Sequence, residues 1–321
     1  GMSRYIARRL LLNLLVLWMV ATLVFFAVRI LDADYVDKRL GSNLELSATN
    51  PEAIEKARAE FGLDKPRWQQ YFVFLGQLAR GDLGTSFETG RSTWTELAER
   101  VPYTLELGIL ISLVAFSVAI PVGILSAVYQ DSWIDYVLRF FSILAVAAPV
   151  FFIAIVMMFI VLKYDLWTIE IVEKPHFWTD PKAAFFKYLI PALAGGLAGG
   201  AGIMRLLRSQ MLEVMRMDYI RTARAKGLAS RRVILHHALK NAMIPVLTVM
   251  GLTMAAIIGG QIILENMFAI RGVGSYLLYT ITNRDFPPFQ GTVIVICVVV
   301  VTMNLIVDLL YAWLDPRIRY S

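Results

Sequence analysis

The chain has 321 residues, of which 58% are hydrophobic and 17% charged, where an ordinary soluble domain carries about a quarter charged residues. Its net charge of +6 could suit nucleic acid, but in so apolar a chain it reads as the positive bias of cytoplasmic loops. One cysteine, Cys297, and three histidines, two of them adjacent at His236 and His237, exclude a disulfide framework and a thiolate metal site within one chain.

A bilayer crossing needs roughly 20 consecutive apolar residues, and six blocks qualify. Residues 1–9 carry Arg4, Arg8 and Arg9 and predict a cytoplasmic N-terminus. The first span follows at Leu10–Ile30 (residues 10–30). Its apolar run is too long for a signal core, and VRILDADY after it offers no small-x-small cleavage site, so an uncleaved span is expected.

Residues 31–102 form a predicted external segment with its own short helices. Asn50–Pro51 has the pattern of an N-cap followed by proline in the first turn, and Gly62 ends that helix. Asp64 and Pro66 start a second helix, which Gly81 stops; Thr93 and Glu96 have capping-box spacing before a third, which Pro102 ends.

Residues 103–314 hold the other five spans: Leu107–Tyr129, Phe140–Leu162, Leu189–Leu207, Ile244–Leu264 and Thr292–Leu314. The fold class is therefore all-α and polytopic, with residues 315–321 back in the cytoplasm. Pro121 and Pro149 fall within the second and third spans and should kink them. The fourth contains Gly195, Gly196, Gly199, Gly200 and Gly202. No Gly-Lys-Ser/Thr follows, so small residues four apart read as close helix packing and not as a phosphate loop.

Between the fourth and fifth spans, residues 208–245 carry the strongest charge asymmetry in the chain. Arg208, Arg216, Arg221, Arg224, Lys226, Arg231, Arg232 and Lys240 face only Glu213 and Asp218. Asp218 is placed to cap a helix over 219–226, with Gly227 as its stop. Ser230 is placed to cap a longer helix leading back into the membrane through Pro245. Small Ala223, Ala225 and Gly227 beside long Arg221 and Arg224 suit close approach to a groove with carboxylates on its wall. The same pattern suits a basic loop held near anionic lipid, and by pattern alone the two readings are equal.

Beyond the loop, Gln261, Glu265 and Asn266 mark the outer end of the fifth span as a candidate external gate. Asn304, Asp308 and Tyr311 share one face of the sixth. A carboxylate in lipid is costly, so Asp308 should face inward, along a transport path or paired with Arg205 or Arg208. No convergent nucleophile, base or metal ligands occur, so no catalytic residue and no metal site is assigned.

The loop, in the form ARAKG followed by Asn241 and Pro245, resembles the EAA loop of ATP-binding-cassette importer permeases. FGLDKPRWQQYFVFLGQLARGDLGTSF, ERVPYTLELGILISLVAFSVAIPVGILSA, ENMFAIRGVGSYLLYTITNRDFPPFQG and NLIVDLLYAWLDPRIRY are similar, in order, to the dipeptide/oligopeptide branch of that family. Arg271 stands where that branch usually has proline. The resemblance implies a peptide permease subunit in the bacterial or archaeal inner membrane, with both termini cytoplasmic. It also implies a homologous second permease subunit, two ATP-binding subunits carrying ATP and magnesium, and an external substrate-binding protein. Arg221, Ala223, Arg224, Ala225 and Gly227 would then carry the contact with the ATPase, and Gln261, Glu265, Asn304 and Asp308 are candidates for the path or gate. A same-family permease for nickel, glutathione or an oligosaccharide stays open, as does a stand-alone channel or membrane enzyme.

Overall fold

The computed structural model describes residues 2–31, 55, 64–86, 88–167, 176–259 and 261–314. The helix expected between Asn50 and Gly62 lies outside them. Helix dominates the described residues, and their only extended pairing is an isolated bridge between Thr85 and Ser92. The helices are α1 (Met2–Leu31), α2 (Arg67–Ala79), α3 (Thr93–Val128), α4 (Trp133–Ala147), α5 (Val150–Lys163) and α6 (Pro181–Met215). They continue as α7 (Asp218–Ala225), α8 (Ser230–Arg232), a π turn (Val233–Ala238), α9 (Leu239–Gly259), α10 (Ile262–Met267), α11 (Val273–Thr282) and α12 (Phe286–Leu314).

Among the described residues five helices are long and apolar enough to cross a membrane, within Ala7–Ile30, Thr93–Val128, Pro181–Met215, Ser230–Ile257 and Phe286–Ile306. The bent pair α4 and α5 makes a sixth crossing if taken as one span. The third expected span, Phe140–Leu162, is thus not one straight helix: it breaks by 111°. The cause is local. Pro149 has no N–H to donate and drives the residue before it out of the helical region, and Ala148 is extended at φ −78°, ψ 131°. Pro121, Pro191 and Pro245 instead lie within continuous helices. So does Pro102, which does not end a short external helix as expected. The fifth span likewise ends at Gly259, and Leu264 belongs to the separate α10.

The chain divides into two compact units, residues 1–100 with 276–298 and residues 101–275 with 299–321. In the first, α1 lays fully buried Phe25 against Tyr71 and Phe74 of α2. Polar pairs join the same helices: Thr22 with the Tyr71 hydroxyl at 2.8 Å, and Arg29 donating to Gln70 at 3.0 Å. α2 starts after Pro66 and stops before Gly81, as its sequence requires; Gly81 has φ +77°. The predicted capping box at Thr93 does not form. Glu96 turns to Arg91 and Arg100 at 2.7 and 3.0 Å, while Thr93 Oγ1 is buried without a partner. The Arg100 guanidinium lies 4.4 Å over the Tyr276 ring. Burial first, and Glu96 second, push the Tyr276 phenol well above its ordinary range.

In the second unit α6 is the axis, packing against α4, α5 and α9. The glycine run explains how helices come close to it. A Cβ on Gly200 would stand 2.7 Å from the carbonyl oxygen of Ala115 in α3. One on Gly123 of α3 would stand 3.0 Å from that of Met204. Gly196 packs on Val114 in the same way, whereas Gly202 has open space around it. Without a hydrophobic force between helices in lipid, such backbone approach is a main source of packing energy.

Candidate functional site

The basic loop folds as α7, a tight turn and the helix running from α8 into α9. Gly227 takes φ +77°, a left-handed conformation that costs other residues about 1–2 kcal/mol, and its N–H donates to the Arg224 carbonyl. It stops the helix as the sequence predicts. The two expected caps differ. Asp218 is the first helical residue, with Met217 at the N-cap position, and its carboxylate points to solvent beside Arg221 at 3.4 Å. Ser230 is likewise inside its helix, preceded by Ala229. Neither N-cap makes a side-chain hydrogen bond.

α7 has two faces. Ile220 and Ala223, three residues apart, are buried at 0% and 8% exposure. They share a core with Leu207, Met211 and Val214 of α6 and with Val233, Ala238, Ala242 and Val246 after the turn. Tyr219 adds a polar tie, its hydroxyl accepting from Asn241 at 3.0 Å. The opposite face presents Arg221, Thr222, Arg224 and Ala225 to solvent, and Gly227, past the end of the helix, is exposed as well. The five residues expected to form one contact therefore separate: Ala223 turns inward against its own chain, and the other four remain outside. The reason is helical period, since only positions three or four apart share a face.

Next to this core lies a buried ion pair. Arg208 of α6 grips Asp135 of α4 with two parallel bonds of 2.9 and 2.7 Å. Asp135 has no exposed surface. It also accepts from the Ser126 hydroxyl at 2.5 Å and the Asp131 N–H at 3.0 Å, so its lone pairs are well satisfied. Arg208, one of the two arginines expected as a partner for Asp308, is thus engaged by Asp135; the Asp308 side chain lies outside the described residues. Asp135 was legible only as an acid three residues after Ser132 at the edge of an apolar run. Ser132 does accept from its N–H, but nothing in the spacing points to a partner 73 residues away.

Glu265 is fully buried, not displayed at an opening. Thr104 donates to one of its oxygens at 2.6 Å and the Ser275 N–H to the other at 2.8 Å, while the Val273 N–H donates to Thr104 at 2.8 Å. The carboxylate therefore caps the N-terminus of α11, where free N–H groups favour an anion. Gly272 and Gly274 let it in: any Cβ on Gly272 would overlap the carboxylate. Gln261 is half-buried and donates to the Ile257 carbonyl, and Asn304 is half-buried in α12. A further cluster escaped notice in the sequence. Glu106 receives the Tyr188 hydroxyl at 3.0 Å and meets His176 at 3.1 Å, with His176 stacked between Tyr103 and Trp178.

Among the described residues no group of His, Cys, Asp and Glu is arranged to hold a metal ion.

Comparison with known proteins agrees across the whole chain. Residues 119–320 match the family described as "Binding-protein-dependent transport system inner membrane component". Residues 2–108 match the N-terminal part of the same system's membrane component. The chain is 36% identical to the dipeptide transport system permease protein DppB of Alkalihalophilus pseudofirmus, covering 99% of this chain and 100% of that protein. It is 36% identical to the Escherichia coli K12 protein of the same name and 34% identical to the di/tripeptide permease DppB of Pseudomonas aeruginosa. Both comparisons cover 100% of each chain.

Proposed function

We propose, from the premise that this chain belongs to the family of inner membrane components of binding-protein-dependent transport systems, that it is the permease subunit of an ATP-driven importer of short peptides. The peptide assignment draws on relatives named for dipeptide and di/tripeptide transport at full-length coverage. In this reading the chain binds no nucleotide. It pairs with a homologous permease subunit, two ATP-binding subunits that carry ATP and magnesium, and an external protein that delivers the peptide. Both termini lie in the cytoplasm.

The observation that carries the mechanism is the division of α7 into two faces. Its inner face is fused to the ends of α6 and α9 by Ile220 and Ala223. Its outer face offers two arginines around Ala225, a surface matched to an acidic cleft. A cleft that moves when ATP is bound carries α7 with it, and α7 moves the spans to which it is welded. ATP shifts the equilibrium between outward- and inward-open forms only if the outer-face contacts differ between them.

Ala225→Trp tests this. The residue is exposed, so the variant is expected to insert and fold normally, yet to lose the stimulation of ATP hydrolysis by loaded binding protein. Intact stimulation would refute the docking assignment. Uptake of a labelled dipeptide by the reconstituted complex, competed by unlabelled dipeptide, tests the substrate.

A further inference from the structure

α4 is attached to the rest of its unit in an unusual way. It buries only two residues, Asp135 and Ser142, seven apart and therefore on one face. Both are polar, and both reach α6. Asp135 takes the two bonds of Arg208, and Ser142 donates to the Ala201 carbonyl at 3.4 Å. On the same face Ile134, Leu138 and Ala145 are only half-buried, and around them Trp133, Tyr136, Val137, Phe140, Phe141, Ile143, Leu144 and Val146 are exposed. Lipid is as apolar as these side chains, so they supply no force that holds α4 to α6. The charged pair is the strong link, because two parallel bonds fix orientation as well as distance.

Arg208 sits one residue from Leu207 and three from Met211, both fully buried in the core that also contains Ile220 and Ala223 of α7. At its other end, α4 meets α5 at the 111° break. It thus has a rigid grip near α7 and a joint away from it.

We propose that Asp135 and Arg208 are positioning residues for transport: their bidentate pair passes the displacement of α7 to α4, which turns about the Ala148–Pro149 break. This rests on α7 being the docking element. Asp135 touches neither nucleotide nor peptide in this scheme. Its loss leaves α7 seated on α6 and α9, so the ATPase still feels a normal docking surface while α4 no longer follows.

The readout is peptide moved per ATP hydrolysed, measured on the reconstituted complex in vesicles with loaded binding protein. Asp135→Asn is expected to keep stimulated hydrolysis and to lower that ratio on the order of tenfold, within the range of a coupling free energy. Arg208→Lys keeps the charge but not the second bond, and should lower the ratio less. The exchange Asp135→Arg with Arg208→Asp should recover part of it. A purely structural pair would instead lower hydrolysis, transport and complex yield together, leaving the ratio unchanged. An unchanged ratio in Arg208→Lys and in whatever Asp135→Asn complex assembles overturns the proposal. If Ala225→Trp keeps stimulated hydrolysis, the docking reading fails by itself. If Ala225→Trp loses stimulation but the Asp135 and Arg208 variants keep their ratio, only the linkage fails.

Discussion

Single residues divide sharply by what surrounds them, and three glycines make the point. Gly200 is packed on the Ala115 carbonyl, Gly227 is held at φ +77° with open space, and Gly202 has neither constraint. Gly200→Ala should destabilise the detergent-solubilised protein by about 1–3 kcal/mol through overpacking, and Gly227→Ala by about 1–2 kcal/mol through left-handed strain. Gly202→Ala, in open space inside a helix, should raise the thermal midpoint slightly, since alanine is the better helix former by about 1 kcal/mol. Equal midpoints for Gly200→Ala and Gly202→Ala would show that α3 and α6 do not approach as described. Glu265 obeys a similar argument. Glu265→Ala strands the Thr104 hydroxyl and the Ser275 N–H in a buried place, at a cost of about 1–3 kcal/mol, whereas Glu265→Gln keeps an acceptor and should cost less. If Ala and Gln melt alike, the carboxylate does not cap α11. The glycine pattern was open to inspection in the sequence, and so was the acid before Gly272–Val273–Gly274. That the acid lies beneath those glycines was not, because it requires the α10–α11 turn to fold back on it.

At the scale of elements, the helical period was readable, and so was the bend at Pro149, though not that it would be a full break. Four prolines lie inside unbroken helices, while Pro149 breaks the third span. Each lacks the same N–H; what sets Pro149 apart is that the residue before it, Ala148, has left the helical region for an extended conformation. The basic loop was legible as helix, turn and helix because Gly227 and its charges are local signals. Which face of α7 points outward was not, since Ala223 and Ala225 are chemically the same residue. Their contrast gives a test. Ala223→Trp is expected to lower the yield of folded protein by crowding Leu207 and Met211, while Ala225→Trp leaves yield normal and affects coupling alone. Low yield from both, or from neither, would mean that α7 has no distinct inner face.

For the whole molecule, the orientation proposed from the charge asymmetry can be probed by labelling. With Cys297 replaced by serine, cysteines placed at Ser132 and Arg231 should react with an impermeant thiol reagent only from the cytoplasmic side, and those at Thr89 and Trp178 only from outside. The reverse pattern would invert the topology. By itself the sequence determined that this is an all-helical membrane chain with a basic loop between its fourth and fifth crossings. Those properties follow from local apolar length and local charge, which the bilayer reads directly. The tertiary structure alone decided that Arg208 belongs to Asp135, that Glu265 caps a helix, and that α7 turns Ala223 inward. Each of these depends on which distant segments meet, and helix-on-helix contact in lipid is chosen by shape and single polar pairs that leave no periodic trace in the chain.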